Sequence, residues 1–451
     1  MNSLDTAYSW AAFMVLATVA WLATALWVQR HSEWGRWTRR LILIAVVLRV
    51  IGAAARYEVF FRFYDGGGDA VGYYVVGLTY AKSFWNLDFA IVLDRSLWWV
   101  GQWWGSQFLR FVSGFVLTLI GPSMRGEFLA FSLFSLAGLL LFGRAYRRSF
   151  PWAPVERYLA WILLLPSLWF WPSSVGKEAF VLLCMGMVAA GHAGDGAKPN
   201  WLLMGTGLGL AFCVRPHVAA VLIGAVGASQ WLVKRQIRGP GDVVRTVLVG
   251  VLVVVVGVAA LERLGVDQVD LEGIQEFMED RADMTAIGGS AIGGSSGLSD
   301  VPMAFVNILL RPFPWEAHHA FAMLSSLEMV LLWAFVFRRR RTLKQALLGW
   351  RQNRLLTFAL VFSLAYVLMI GLVFHNLGII SRQRVLVFPF LFLILEAQPV
   401  PARRRASQAA PAPGPRRPEP GRRPPPRPAE LPEGGERPPE RLREAGRSGR
   451  P

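Results

Sequence analysis

Cysteine, histidine and charge are all scarce in this chain of 451 residues, and each scarcity removes a class of chemistry. The two cysteines, Cys184 and Cys213, lie inside apolar runs, where cysteine behaves as a small buried hydrophobe. They offer no disulfide framework and no cysteine-based metal cluster, and they do not reveal a redox compartment. Of the six histidines, His217, His318 and His375 fall near charged turns but are too scattered to read as a metal site. A lone histidine at an interface is more often a hydrogen-bonding side chain. Charged residues make up only 17% of the chain against 54% hydrophobic, with a mean hydropathy of +0.40. The apolar residues come in runs of about 15 to 22, the length that crosses hydrocarbon as a helix. The chain therefore reads as an all-α polytopic membrane protein, and its 19 Trp and 29 Phe fit the aromatic enrichment at bilayer interfaces.

The net charge of +17 is not a nucleic-acid signature. From Pro401 onward there are 13 Arg against 6 Glu, and the rest of the excess sits in short basic loops between apolar runs. These loops are Arg30 to Arg40, Arg144 to Arg148, Lys234 to Arg245 and Arg338 to Arg354. Placing all four in the cytoplasm, as the positive-inside rule directs, fixes the helices between them. The expectation is about eleven transmembrane helices, N-terminus out and C-terminus in. The first run, about Tyr8 to Val28, has no basic residue before it and reads as a retained helix rather than a cleaved signal. A long first outer loop, about 61–125, holds one further apolar run at about 108–120, read as interfacial or re-entrant. The acidic segment 262–300, ending in a Gly/Ser-rich stretch, is a candidate lid. Residues 1–398 form the membrane domain, and the Pro/Arg-rich 399–451 cannot bury a core and reads as a disordered cytoplasmic tail. No internal repeat supports inverted-repeat transporter symmetry.

This orientation, set only by Lys and Arg in the inner loops, puts the unusual polar motifs on one outer face. The first is Tyr64-Asp65-Gly66-Gly67-Gly68-Asp69-Ala70-Val71-Gly72-Tyr73-Tyr74, two carboxylates and three glycines directly after an apolar run. Both acids can be solvated turn residues, with the glycines serving only backbone conformation. Asp69 is the stronger functional candidate, because a helix can begin there and its dipole favours an acid in the first turn. Asp65 is the supporting candidate. Arg215-Pro216, with His217, and Arg311-Pro312, with Glu316 and His318, place a guanidinium before a rigid turn, pre-oriented for an anion. A snorkelling arginine is the plain alternative, and Glu316 can simply pair with Arg311. Lys177 and Glu178 open a helix after Ser173 and Ser174, either as an N-capped start or as a phosphate-binding helix end. Arg382 and Arg384 lie two apart, so both address one ligand only if that tip is extended; in a helix they diverge. Charge at membrane level is costly and commonly serves a pathway or a site.

The stretch Gly68 to Tyr74 resembles the acidic first-loop motif of integral-membrane GT-C glycosyltransferases. Phe170-Trp171-Pro172-Ser173-Ser174-Val175-Gly176-Lys177-Glu178 and the segment Asn376 to Pro389 are similar to bacterial exopolysaccharide and O-antigen polymerase-like proteins. The resemblance covers most of residues 41–397. It implies a GT-C-like fold in a bacterial inner membrane, a polyprenyl-phosphate or polyprenyl-diphosphate sugar donor and a glycan or lipid acceptor. It implies Asp69 as the base for the acceptor hydroxyl, and Arg215, Arg311 and Arg382 or Arg384 as holders of the diphosphate. The commonest pattern of that family has an adjacent acidic pair, which is missing here; a divalent cation is possible but no ligand motif supports it. Two rivals stand beside this expectation: a transporter or flippase for an anionic lipid or solute, and a non-catalytic scaffold acting through the tail. The transporter needs charges continuing along the helices toward the cytoplasm, and the sequence shows few.

Overall fold

A computed structural model of the chain describes residues 7–31, 34–63, 65–194, 198–233, 301–317 and 320–398. The expected helix at 243–261, the lid at 262–300, His318 and the tail from 399 lie outside the described residues.

Among the described residues the fold is all-helical, without strands. The apolar runs fold close to where their hydropathy places them. They give α1 (Ala7–Arg30), α2 (Arg36–Phe63), α5 (Met124–Ser149), α8 (Lys177–Ala193), α9 (Trp201–Val214) and α10 (Pro216–Leu232). After the break come α11 (Val301–Leu309), α12 (Ala320–Arg338), α13 (Arg340–Gly349), α14 (Arg354–Val373), α15 (Leu377–Gln383) and α16 (Phe388–Glu396). Within the first loop lie α3 (Asp69–Trp85) and α4 (Ser106–Ile120), and after α5 come α6 (Val155–Leu164) and the short α7 (Pro166–Phe170). Among the described residues three helices, α1, α5 and α14, are long and apolar enough to cross a membrane, or four spans if the bent α15–α16 pair is one; α4, α9 and α10 are shorter and apolar.

Two runs are not continuous. The run expected at 157–171 breaks between α6 and α7, because Pro166 lacks an amide hydrogen and pushes Leu165 into an extended conformation. The last run bends by 55° just after the 3-10 turn Arg384–Leu386, where Pro389 follows within the first turn of α16. The segment 61–125 is largely helical: α3 and α4 pack against each other along much of their length.

The centre of the bundle is α5 against α8, the most extensive helix pair among the described residues, and α9 packs on the same α8. Its closeness rests on glycine. A Cβ on Gly138 would run into the Leu182 carbonyl, and one on Gly186 would run into the backbone of Gly138. In a bilayer, where apolar burial between helices gains little over lipid, such backbone approach supplies the van der Waals contact that holds helices together. This scaffold sets the start of α8, and hence Lys177 and Glu178, against the rest of the molecule.

Candidate functional site

Two helix starts, the α9–α10 junction and the end of α15 meet around the first turn of α8. Asp69 is the first residue of α3, after Gly68, whose φ of 136° only glycine adopts without strain. Lys177 and Glu178 are the first residues of α8, whose cap is Gly176 with no side-chain hydrogen bond. Ser173 and Ser174 do not cap that helix, contrary to the capped reading: Ser173 instead donates to the Trp169 carbonyl at 2.5 Å and shares a hydrogen bond with Ser132 at 2.6 Å. Arg215 is the single residue joining α9 to α10, with Pro216 opening α10. Arg382 sits near the end of α15, which Asn376 caps by accepting from the amides of Gly378 and Ile379.

Glu178 is the hub. Only 2% of its side chain is exposed, and it accepts from Arg215 Nη2 at 2.5 Å, from Arg382 Nη2 at 2.8 Å and from Gln383 Nε2 at 3.4 Å. A buried carboxylate is stable only when paired and hydrogen-bonded in this way. Arg215 also donates from Nη1 to Gln383 Oε1 at 2.6 Å. Gln383 in turn accepts from the Tyr366 hydroxyl, at 3.2 Å on its main-chain carbonyl and 3.3 Å on Oε1.

Asp69 belongs to the same neighbourhood. Its charge acts on both Lys177 and Arg382, and its Oδ2 lies 3.3 Å from the Tyr73 hydroxyl, one helical turn further along α3. Tyr73 Oη is also 3.3 Å from Ser106 Oγ at the start of α4. Burial, and then the negative charge of Asp69, push the Tyr73 phenol above the usual tyrosine range, so it remains a donor toward that carboxylate. Beside this group opens a cavity of about 420 Å³, walled by Lys177, Arg215, His217, Gln383, Ser106 and Gln102, with Trp104, Pro216 and Phe374 among its apolar lining. Asp69 is exposed, and two cationic side chains, Lys177 and Arg215, face the cavity.

No family model, curated protein or solved structure matches the chain. The site's chemistry therefore rests on its geometry. Two cations lining a cavity can hold a phosphate or carboxylate, and the Asp69 carboxylate, linked to the cavity wall through Tyr73 and Ser106, can accept a proton from an incoming hydroxyl.

Of the remaining expected residues, His217 lines the cavity and the others lie elsewhere. Asp65 is exposed in the turn before α3, at φ 48°. Arg311 is committed to an ion pair with Glu316 at 2.5 Å, and its Nη1 donates to Asn307 at 3.1 Å. Arg384 diverges from Arg382, as helical spacing requires: it is fully buried, donates to the Arg311 carbonyl at 2.6 Å and stands in the field of Glu328. Glu328, on α12, accepts from the Ser167 amide at 2.9 Å. His375 is buried.

Reading the sequence alone passed over Tyr73, Ser106, Gln383 and Tyr366. The spacing of four from Asp69 to Tyr73 is the one signal that could have flagged any of them. It also underestimated buried charge, since Arg49, Arg125, Glu127, Glu328, Arg384 and Glu396 are all buried within or beside helices.

Proposed function

We propose that this chain is a membrane-embedded glycosyltransferase or polysaccharide polymerase that takes a sugar from a polyprenyl-phosphate or polyprenyl-diphosphate carrier and passes it to a glycan or lipid acceptor. The observation that carries the reading is that Asp69 lies within electrostatic reach of Lys177 and Arg382, beside a cavity lined by Lys177 and Arg215. A base and anion-binding cations thus share one place. The reading includes a GT-C-like arrangement of about eleven spans, N-terminus out, in a bacterial inner membrane, with the site on the outer face.

In this mechanism the acceptor hydroxyl attacks the anomeric carbon and its proton passes to Asp69. The bond from that carbon to the phosphate oxygen breaks, and the bonding pair leaves on the phosphate, where Arg215 and Lys177 stabilise it. Tyr73 holds the Asp69 carboxylate in place. Glu178, expected from sequence among the binding residues, stands behind the arginines rather than against the substrate. Arg311, paired with Glu316, and Arg384, bonded to the Arg311 carbonyl, do not enter the step. The test is transfer from a polyprenyl-diphosphate-linked sugar by the full chain in nanodiscs. Asp69→Asn, folded but inactive, supports the assignment, whereas undiminished transfer sinks it.

Transport of an anionic lipid or solute is the second reading, and the buried Glu328 and Arg384 favour it, because they extend charge away from the first turn of α8. Movement of labelled lipid across proteoliposomes without a glycosidic product would replace the first reading with this one.

A further inference from the structure

Gln383 is flanked by two arginines and is 9% exposed, yet it is the residue through which three others are tied together. Its amide is oriented without ambiguity. Oε1 accepts from Arg215 Nη1 at 2.6 Å and from the Tyr366 hydroxyl at 3.3 Å, while Nε2 faces the Glu178 carboxylate at 3.4 Å. Turning the amide over would set its NH2 group against a guanidinium, which only donates, and its oxygen against a carboxylate, which only accepts. One side chain thus satisfies a cation, an anion and a phenol at once.

This fixes Arg215. A guanidinium has five N–H groups in a rigid fork. Two of them are spent, one on Glu178 and one on Gln383, and those two bonds set the plane of the group. What remains of the fork belongs to a residue that lines the cavity. Pro216 restrains the backbone on one side, and Gln383 and Glu178 restrain the side chain on the other. Glu178 alone would neutralise Arg215 without defining its orientation, since the same carboxylate also serves Arg382.

We infer that Gln383 is a positioning residue, which, braced by Tyr366, orients Arg215 toward the phosphate of the ligand in the cavity. The inference rests on the donor class proposed above. Tyr366 is fully buried and cannot touch a ligand, so any effect it has on binding travels through Gln383.

The experiment measures binding of farnesyl diphosphate, a short isoprenyl diphosphate, to the full chain in nanodiscs, with melting temperature recorded for every variant. Gln383→Leu is expected to weaken binding about tenfold and Tyr366→Phe about threefold, the scale of losing one hydrogen bond to a charged group or one between neutral groups. In an Arg215→Ala background each should cost less than about twofold, because residues acting through one side chain are not additive. Equal losses with and without Arg215 would overturn the inference and make Gln383 a direct ligand contact; unchanged binding in Gln383→Leu would overturn it by showing that the amide has no part in binding. If Gln383→Leu does not assemble, Tyr366→Phe carries the same comparison. Failure of the unsubstituted chain to bind farnesyl diphosphate overturns the diphosphate reading together with this inference; binding with additive losses overturns this inference alone.

Discussion

Of the arginine-bearing clusters among the described residues, the two built on Arg-Pro turns differ in what they leave available. At the start of α8, Arg215 and Arg382 share the Glu178 carboxylate, so two cations face one anion, and Arg215 and Lys177 still face a cavity. At the end of α11, Arg311 gives Nε and Nη2 to Glu316 and Nη1 to Asn307, while its carbonyl is taken by Arg384. The first cluster has positive charge in excess of its own acids; the second closes on itself. An Arg-Pro turn after an apolar run is common to both, so the motif alone does not make an anion site. The surplus of charge and the open volume distinguish them.

The comparison breaks most sharply on catalysis. Asp69→Asn should lower sugar transfer by about 10²- to 10⁴-fold, the usual contribution of a general base, while Glu316→Gln should leave the rate within about twofold. Single-turnover transfer in nanodiscs measures both, and equal losses would erase the distinction. Stability separates the clusters next. Glu178→Ala leaves two arginines without their buried counter-ion and should destabilise by about 3 kcal/mol. Glu316→Ala, in a pair whose side chains are 18% and 19% exposed, should cost about 1 kcal/mol. Chemical denaturation in a fixed detergent reports the difference. Ligand affinity sharpens it further: Arg215→Ala should weaken farnesyl diphosphate binding by at least about tenfold, and Arg311→Ala by less than about twofold.

Much of the scaffold is legible in the sequence because hydropathy and punctuation act locally. Asp69 opens α3, Lys177 opens α8 and Pro216 opens α10, each where the residue types place a helix start. The divergence of Arg382 and Arg384 follows from spacing alone. The break at Pro166 was also written in the chain, but the continuous apolar run around it outweighed a single proline. The site was legible only as far as its ionised members. Nothing in the local pattern says that Glu178 would be surrounded by arginines from 37 and 204 positions away, or that Gln383 would join them. Those contacts depend on how α5, α8, α9 and α15 pack, with Gly138 and Gly186 bringing α5 onto α8 and Gly207 bringing α9 onto α8, and packing at that range leaves no periodic trace.

The smallest effect tests the link between the carboxylate and its support. Tyr73→Phe removes a hydroxyl 3.3 Å from Asp69 Oδ2 and keeps the ring, which is packed in the core at 2% exposure. The loss should be about 1 kcal/mol, or roughly fivefold in transfer rate, because one hydrogen bond to a charged group is exchanged for solvent at an exposed carboxylate. The direction of the tyrosine shift adds a control. Burial and the Asp69 charge favour the neutral phenol, so the donor is present throughout the neutral range and is lost only above the ordinary tyrosine value. The unsubstituted chain should therefore show no decline in rate assignable to Tyr73 between about pH 7 and pH 9. A fivefold loss with an unchanged profile over that window is the mark of a hydroxyl that orients the base. If instead the rate falls with rising pH and Tyr73→Phe abolishes that fall, the phenol is titrating, and it supports Asp69 less securely than the geometry requires.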